Sequence, residues 1–219
     1  ISGGEGGAVL TNSFMISKVV KSLRDWGRDC FCATGQDAAC GKRFEHKFEG
    51  LPEGYDHKYV YTRLGYNLKM TDLQASLLSS QIDRLDEIVE ARRYNFIYLF
   101  EKMQEFENWF ILPRPALDSE PSWFGFPITI KSYACNFTRA ELIAHLDKNK
   151  VGTRLLFGSN LLRQPAYRDI EYLVQDKLYN SDIVTEMTFW IGLHPSMTPE
   201  IMDYIISVFR EFLEGREGC

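Results

Sequence analysis

Three cysteines, Cys30, Cys32 and Cys40, stand within eleven residues in a Cys-x-Cys-x7-Cys pattern. Thiolates bind soft metals and iron–sulfur clusters, so three in one loop make most of a ligand set. The spacing does not match the Cys-x2–4-Cys pairs of common structural zinc sites, and a tetrahedral site needs a fourth donor. His46 and His57 are near in sequence, but neither stands at a usual ligand spacing. Three unligated cysteines in an irregular loop is the other reading these residues allow. Of the five cysteines in all, Cys135 reads as a lone, buried small hydrophobe and Cys219 as a solvated tail residue. An odd total argues against a disulfide framework.

Residues 28–60, which carry the trio, show no sustained hydrophobic period and are rich in Gly, Asp and Lys. So long a loop is usually functional or anchored by something other than a core, and a metal site can supply that order. Before it, Ala8–Leu10 reads as a short strand. Ser13–Trp26 reads as an amphipathic helix on Phe14, Ile16, Val19, Val20 and Leu23, ended by Gly27. After it, Thr71 and Gln74 form a capping box. The box opens the longest periodic stretch in the chain. Leu73, Leu77, Leu78, Ile82, Leu85, Ile88 and Val89 make one stripe, continued by Phe96, Leu99 and Met103. The pattern predicts a long helix, or two joined by a bend, linking two domains.

Beyond Phe110 the character changes. Ile111–Pro113 and Trp123–Ile130 read as strands. Phe137, Thr138, Glu141 and Leu142 combine a hydrophobic staple with a capping box, which predicts a helix to about Lys148. Thr153–Phe157 and Thr188–Leu193 read as further strands, and Thr198-Pro199 starts a final helix with Pro at its favoured first position. Together these make a small α/β domain from about Pro113 onward.

The composition, 45% hydrophobic and 25% charged over 219 residues, is that of an ordinary globular protein. A formal net charge of −5 argues against a nucleic-acid partner, which needs a clustered basic surface. No apolar run approaches the roughly 20 residues that span a bilayer, so membrane insertion is not expected. The first residues lack the basic and apolar regions of a signal peptide, which points to the cytoplasm. The chain starts at Ile1 on a glycine-rich turn, so it reads as a fragment of a longer fold.

Gly4-Glu5-Gly6-Gly7-Ala8-Val9-Leu10 followed by a helix, and Leu64-Gly65-Tyr66-Asn67 running on to Ala75, resemble motifs of the DegT/StrS-type sugar aminotransferase family. Arg24 to Cys32, with Cys40 beyond, resembles one branch of it, the iron–sulfur 3-dehydrases of CDP-4-keto-6-deoxy-D-glucose. Trp123–Thr129, Gly152–Phe157 and Phe189–Gly192 resemble the same branch. The resemblance covers essentially the whole chain.

It implies an α/β fold, the C-terminal part of an aspartate aminotransferase-like (fold type I) enzyme. Residues 1–70 would end the large cofactor-binding domain, 71–112 would link, and 113–219 would form the small domain. The implied activity is removal of the C3 hydroxyl of a CDP-4-keto-6-deoxyhexose in 3,6-dideoxysugar and O-antigen lipopolysaccharide biosynthesis. The implied cofactors are pyridoxamine phosphate (or pyridoxal phosphate, PLP) and a [2Fe–2S] cluster, with Cys30, Cys32 and Cys40 as three ligands and the fourth upstream of Ile1. Electrons would come singly from a flavin-dependent iron–sulfur reductase.

Asn67 matches the residue that bonds the cofactor phosphate across a homodimer interface; on pattern alone it is an Asn in a turn before a helix. Phe124 matches a pocket position where many family aminotransferases carry His; on pattern alone it is a core aromatic on a strand. Arg154 and Arg163 are candidates for the nucleotide diphosphate, because guanidinium matches phosphate geometry. The general base, His in this branch and Lys in the aminotransferases, falls just before Ile1, so the 219 residues alone are expected to be inactive. Two rival functions are a PLP-dependent nucleotide-sugar aminotransferase with incidental cysteines and a non-catalytic interaction module stabilised by zinc.

Overall fold

The computed structural model describes every residue except 33, 34, 37, 38, 132, 134 and 219. The expectation for Cys219 therefore lies outside the described residues. The chain divides into two compact units, Ile1–Asp83 and Arg84–Cys219.

The first unit holds two α-helices and little core. Helix α1 (Phe14–Arg24) starts where the Ser13 hydroxyl accepts the Ile16 N–H, and ends at Trp26 and Gly27, both at positive φ. Helix α2 (Asp72–Ile82) starts at the expected box: Gln74 N–H donates to Thr71 Oγ1 at 3.3 Å and Thr71 N–H to Gln74 Oε1 at 3.1 Å. Among the described residues, Val60 is the one buried apolar side chain of this unit. Backbone crossings do the work of a core. Trp26 N–H donates to the Tyr66 carbonyl, and Tyr66 and Leu68 donate to Leu23 and Arg24. Two glycines permit so close a crossing. A Cβ at Gly27 would collide with the Arg63 carbonyl, and one at Gly65 with the Gly27 amide.

Ala8–Leu10 forms no strand; no described segment pairs with it and Leu10 is exposed, and an unpaired extended run has no ladder to stabilise it. The long apolar stripe is likewise not one face. Helix α2 ends at Ile82 and α3 (Leu85–Met103) begins anew, with Arg84 out of helical geometry and Asp86 and Glu87 in its first turn. Leu73, Leu77 and Ile82 stay exposed on α2, whereas Phe96, Leu99 and Met103 on α3 are buried.

The second unit has an antiparallel four-stranded sheet in the order β1-β2-β4-β3, with β1 (Phe110–Ile111), β2 (Gly125–Ile130), β3 (Thr153–Leu155) and β4 (Thr188–Gly192). Alternation decides the buried face of β2: Phe126, Ile128 and Ile130 point into the core and are joined there by Phe189 and Ile191 of β4. Helices α3, α4 (Arg139–Lys148) and α6 (Pro199–Leu213) close that core with Leu99, Met103, Leu142, Leu146, Met202 and Phe209, all fully buried. The second capping box forms as read, with Thr138 N–H on Glu141 Oε2 at 2.7 Å; that bond, with the Thr138 hydroxyl, holds the Glu141 carboxyl below its usual range. Strand β3 stops early because Phe157 turns to a positive φ and donates its N–H back to Leu155. A further helix, α5 (Tyr179–Met187), has no side-chain cap and only Met187 buried, so neither of the usual sequence marks announced it.

Cys135 packs against the core as a small hydrophobe, but it does not stand alone: its sulfur is disulfide-bonded. Whether two cysteines can bridge depends on a Cα separation of roughly 4.4–6.8 Å, which linear spacing does not reveal. No helix among the described residues is long and apolar enough to cross a membrane.

Candidate functional site

The cysteine loop is closed at its base rather than filled from within. Arg28 bridges Tyr61, Asp29 N–H donates to the Val60 carbonyl at 2.9 Å, and the Ser22 hydroxyl donates to the Arg28 carbonyl at 2.6 Å. Farther along, Arg43 grips Asp56 at 2.7 Å and accepts the His57 N–H on its carbonyl. The Arg43 bond holds the Asp56 carboxyl below its usual range.

Cys30, Cys32 and Cys40 are all half-buried and free. Burial acts first on Cys30, and the hydrogen bond with Cys32 adds to it, raising the Cys30 pKa above the usual thiol value. Burial also works against a Cys32 thiolate, but three donors and a cation outweigh it. The Cys30 thiol, the amides of Ala39 and Cys40, and the Lys58 charge together pull the Cys32 pKa down. Cys40 Sγ accepts the Lys42 amide at 3.4 Å and lies 3.4 Å from Nε2 of His57. A cavity of about 170 Å3 opens beside Cys30 and Cys32, lined by Arg24, Arg28, Lys58 and Lys69, with Asp25 paired to Lys69 at 2.9 Å.

These shifts predict an order of reactivity. In the metal-free chain near neutral pH, iodoacetamide should carboxymethylate Cys32 several-fold faster than Cys30, because the thiolate is the nucleophile. Peptide mass spectrometry over a short time course reads it; equal rates, or Cys30 first, would refute the assignment.

The donor chemistry of the loop fits a soft metal or cluster: three thiols, one of them receiving two backbone amides. The set is incomplete, because no group of three or more His, Cys, Asp or Glu side chains is gathered to hold a metal among the described residues. Sequence reasoning missed Asp29 and found no place for His57. The structure brings them together, with His57 Nδ1 3.0 Å from Asp29 Oδ2 and the His46 ring stacked on His57 at 4.8 Å. A histidine and a carboxylate 28 positions apart carry no local pattern that would link them.

Asn67 is exposed, its backbone bridged to Asp25 at the start of α2's approach. Phe124 is not a core aromatic: it is 63% exposed, just outside β2. Its ring lies 5.0 Å from Trp190 with the Arg92 guanidinium over it at 5.8 Å. Arg154 on β3 stands opposite Trp190 in the ladder, so one tryptophan neighbours both residues. Gly125 makes room for that indole, since a Cβ there would collide with it. Arg163 is engaged elsewhere, 2.6 Å from Glu186 and 3.5 Å from Asp182.

The family model described as the DegT/DnrJ/EryC1/StrS aminotransferase family matches residues 1–210. A lipopolysaccharide biosynthesis protein, RfbH, of Salmonella typhimurium is 50% identical over 212 residues, covering 97% of this chain and 48% of the relative. A dTDP-4-dehydro-2,6-dideoxy-D-glucose 3-dehydratase of Saccharopolyspora spinosa is 47% identical over 213 residues, covering 97% and 46%. The chain thus spans about half the length of the curated relatives it matches. Among solved structures, an E. coli GDP-4-keto-6-deoxy-D-mannose-3-dehydratase with bound hydrated PLP shares the fold. Its TM-score is 0.63 at 21% identity, over 69% of this chain and 38% of that one.

Proposed function

The chain belongs to the DegT/DnrJ/EryC1/StrS aminotransferase family, and from that premise we propose that it is part of a nucleotide-sugar 3-dehydrase. The whole protein removes the C3 hydroxyl of a CDP-4-keto-6-deoxyhexose on the way to 3,6-dideoxysugars of lipopolysaccharide. Two relatives near half identity support the reading, one named for lipopolysaccharide biosynthesis and one a sugar 3-dehydratase. The observation that carries it is the Cys30–Cys32–Cys40 loop, with Cys32 biased toward the thiolate by amides, a thiol and a cation. When bound, pyridoxamine phosphate supplies an electron sink and a [2Fe–2S] cluster supplies single electrons.

In this reading Cys30, Cys32 and Cys40 are three cluster ligands, and the fourth ligand and the general base come from outside these 219 residues. The Asn67 carboxamide donates to the cofactor phosphate across a homodimer interface. Phe124 has no proton to exchange where a His would have one. Arg154 offers its guanidinium to the nucleotide diphosphate. Arg163 does so only after leaving Glu186 and Asp182. The electron donor is a flavin-dependent iron–sulfur reductase in the cytoplasm. Residues 1–70 end the cofactor-binding domain, 71–112 link it, and 113–219 form the small domain.

Anaerobic purification of the full-length protein tests this. About two irons and two sulfides per chain, with a [2Fe–2S] EPR signal after dithionite reduction, is the expected result. No iron, together with the absorbance of a lysine-bound cofactor, would reject the dehydrase in favour of an aminotransferase.

A further inference from the structure

Trp190 stands at the centre of an aromatic patch on the face of the sheet turned away from the core. On β4 the side chains of Phe189 and Ile191 enter the core, so Trp190 between them points to the other face. Arg154 is directly opposite it on β3 and shares that face. The indole reaches across both neighbouring strands. Its Nε1–H donates to the Leu155 carbonyl of β3 at 3.0 Å, and its six-membered ring lies over Gly125 of β2. Phe124 flanks the indole from the β2 side at 5.0 Å, and Phe157 from the β3 side at 6.5 Å. Gly192, paired with Gly125 across the ladder, has open space where its side chain would stand.

Packing does not account for this patch. Phe124 and Phe157 are 63% and 78% exposed, and rings gathered in solvent mark a binding surface. Phe157 is presented at φ 51°, a conformation costly for a bulky residue and one that collects at ligand sites. Arg154 is exposed and the Arg92 guanidinium lies over Phe124 at 5.8 Å; neither has an ion-pair or hydrogen-bond partner among the described residues. An isologous contact between two copies would bring these unpaired cations together, which disfavours a second copy as the occupant. Apolar rings beside free guanidinium groups fit a ligand that is apolar at one end and anionic at the other. We propose that Trp190 determines specificity for the hexose: its indole receives the C–H face and the 6-methyl group of the 6-deoxyhexose, between Phe124 at the reacting end and Arg154 at the diphosphate. The proposal rests on the nucleotide-sugar reading above and adds to it the residue that reads the deoxy position. A hexose is bonded directly to its diphosphate, and the patch runs in the matching order, from Phe124 before β2 through Trp190 on β4 to Arg154 on β3. A 6-methyl gains by leaving water for an aromatic surface. A 6-hydroxyl there gives up its water and finds no partner on the indole, whose one polar group is already bonded to Leu155.

The test uses the full-length protein loaded with pyridoxamine phosphate and titrates it calorimetrically with CDP, CDP-glucose and CDP-6-deoxyglucose. Neither sugar carries the 4-keto group, so binding is read without turnover. The parent should bind CDP-6-deoxyglucose roughly tenfold more tightly than CDP-glucose. Trp190→Ala should bring the two within about twofold of each other and leave CDP itself unchanged. Trp190→Phe, which keeps a ring, should retain part of the preference. Arg154→Ala should weaken all three ligands alike, about tenfold, and keep the preference. Equal affinities of the parent for the two sugars overturn the proposal, as does a Trp190→Ala protein with the parent's preference. A change of oligomeric state in Trp190→Ala also overturns it, making this face a contact between copies. If Trp190→Ala does not fold, Phe157→Ala decides, because that side chain lies in solvent; it should lower the preference, and an unchanged preference overturns the proposal. A parent that binds none of the three ligands overturns the nucleotide-sugar reading, an outcome distinct from a parent that binds them with unchanged variants.

Discussion

Cys32→Ala in the full-length protein should take iron from about two per chain to nearly none and reduce dehydration of the nucleotide sugar to background. Cys32 is supported as an anion by the Cys30 thiol, the Ala39 and Cys40 amides and the Lys58 charge, whereas burial pushes Cys30 the other way. A thiolate is the form that ligates iron, so removing a sulfur already biased toward that form is costly. The substitution also leaves two amides and a thiol without their acceptor, which loosens a loop whose unit buries a single apolar side chain among the described residues. Iron and sulfide analysis with the EPR spectrum reads the first effect and turnover the second. A Cys32→Ala protein with the parent's iron content and rate would mean that the loop is not the cluster site.

Phe209→Ala should cost about 3–5 kcal/mol, a large stability loss for a single truncation in the second unit. Phe209 is fully buried on α6. Its ring meets Phe110 edge-on at 5.8 Å and 80°, and Phe106 at 6.1 Å. It therefore ties the helix to β1 and to the short helical turn Gln104–Phe106 that follows α3. Aromatic rings on two sides leave little room to collapse into the vacated space, so the cavity cost adds to the lost transfer energy. Against a typical total of about 5–15 kcal/mol this is a large fraction. With a urea slope of about 1–3 kcal/mol/M the midpoint should fall by more than ~1 M at unchanged slope. Leu173→Ala, at a side chain 94% exposed, should move the midpoint little by comparison. Equal midpoints for the two variants would refute this account of the core.

What the sequence determined by itself was everything set by neighbours three or four residues apart, or by alternation. The Thr71 and Thr138 boxes formed because the hydroxyl, the amide and the Gln74 or Glu141 side chain lie on one helical turn. Pro199 opened α6 because its fixed φ suits a first turn. Phe126, Ile128 and Ile130 faced one side of β2 because side chains alternate along any strand. The crowding of Cys30, Cys32 and Cys40 into one loop was plain from spacing alone.

Tertiary structure decided which apolar face was covered and which distant side chains met. The Leu73–Ile82 stripe and the Phe96–Met103 stripe have the same helical period, yet only the second is packed, because periodicity says that a face is apolar and not what lies against it. Phe124 carried the pattern of a core residue and stayed exposed, since the ladder began one residue later, at Gly125. The meeting of Cys40, His57 and Asp29 depends on the Arg28–Tyr61 bridge and the Gly27–Gly65 crossing that close the loop. Those contacts span tens of residues. The propensities of a chain act over a turn or two, so only the folded backbone could bring a carboxylate, an imidazole and a thiol into line.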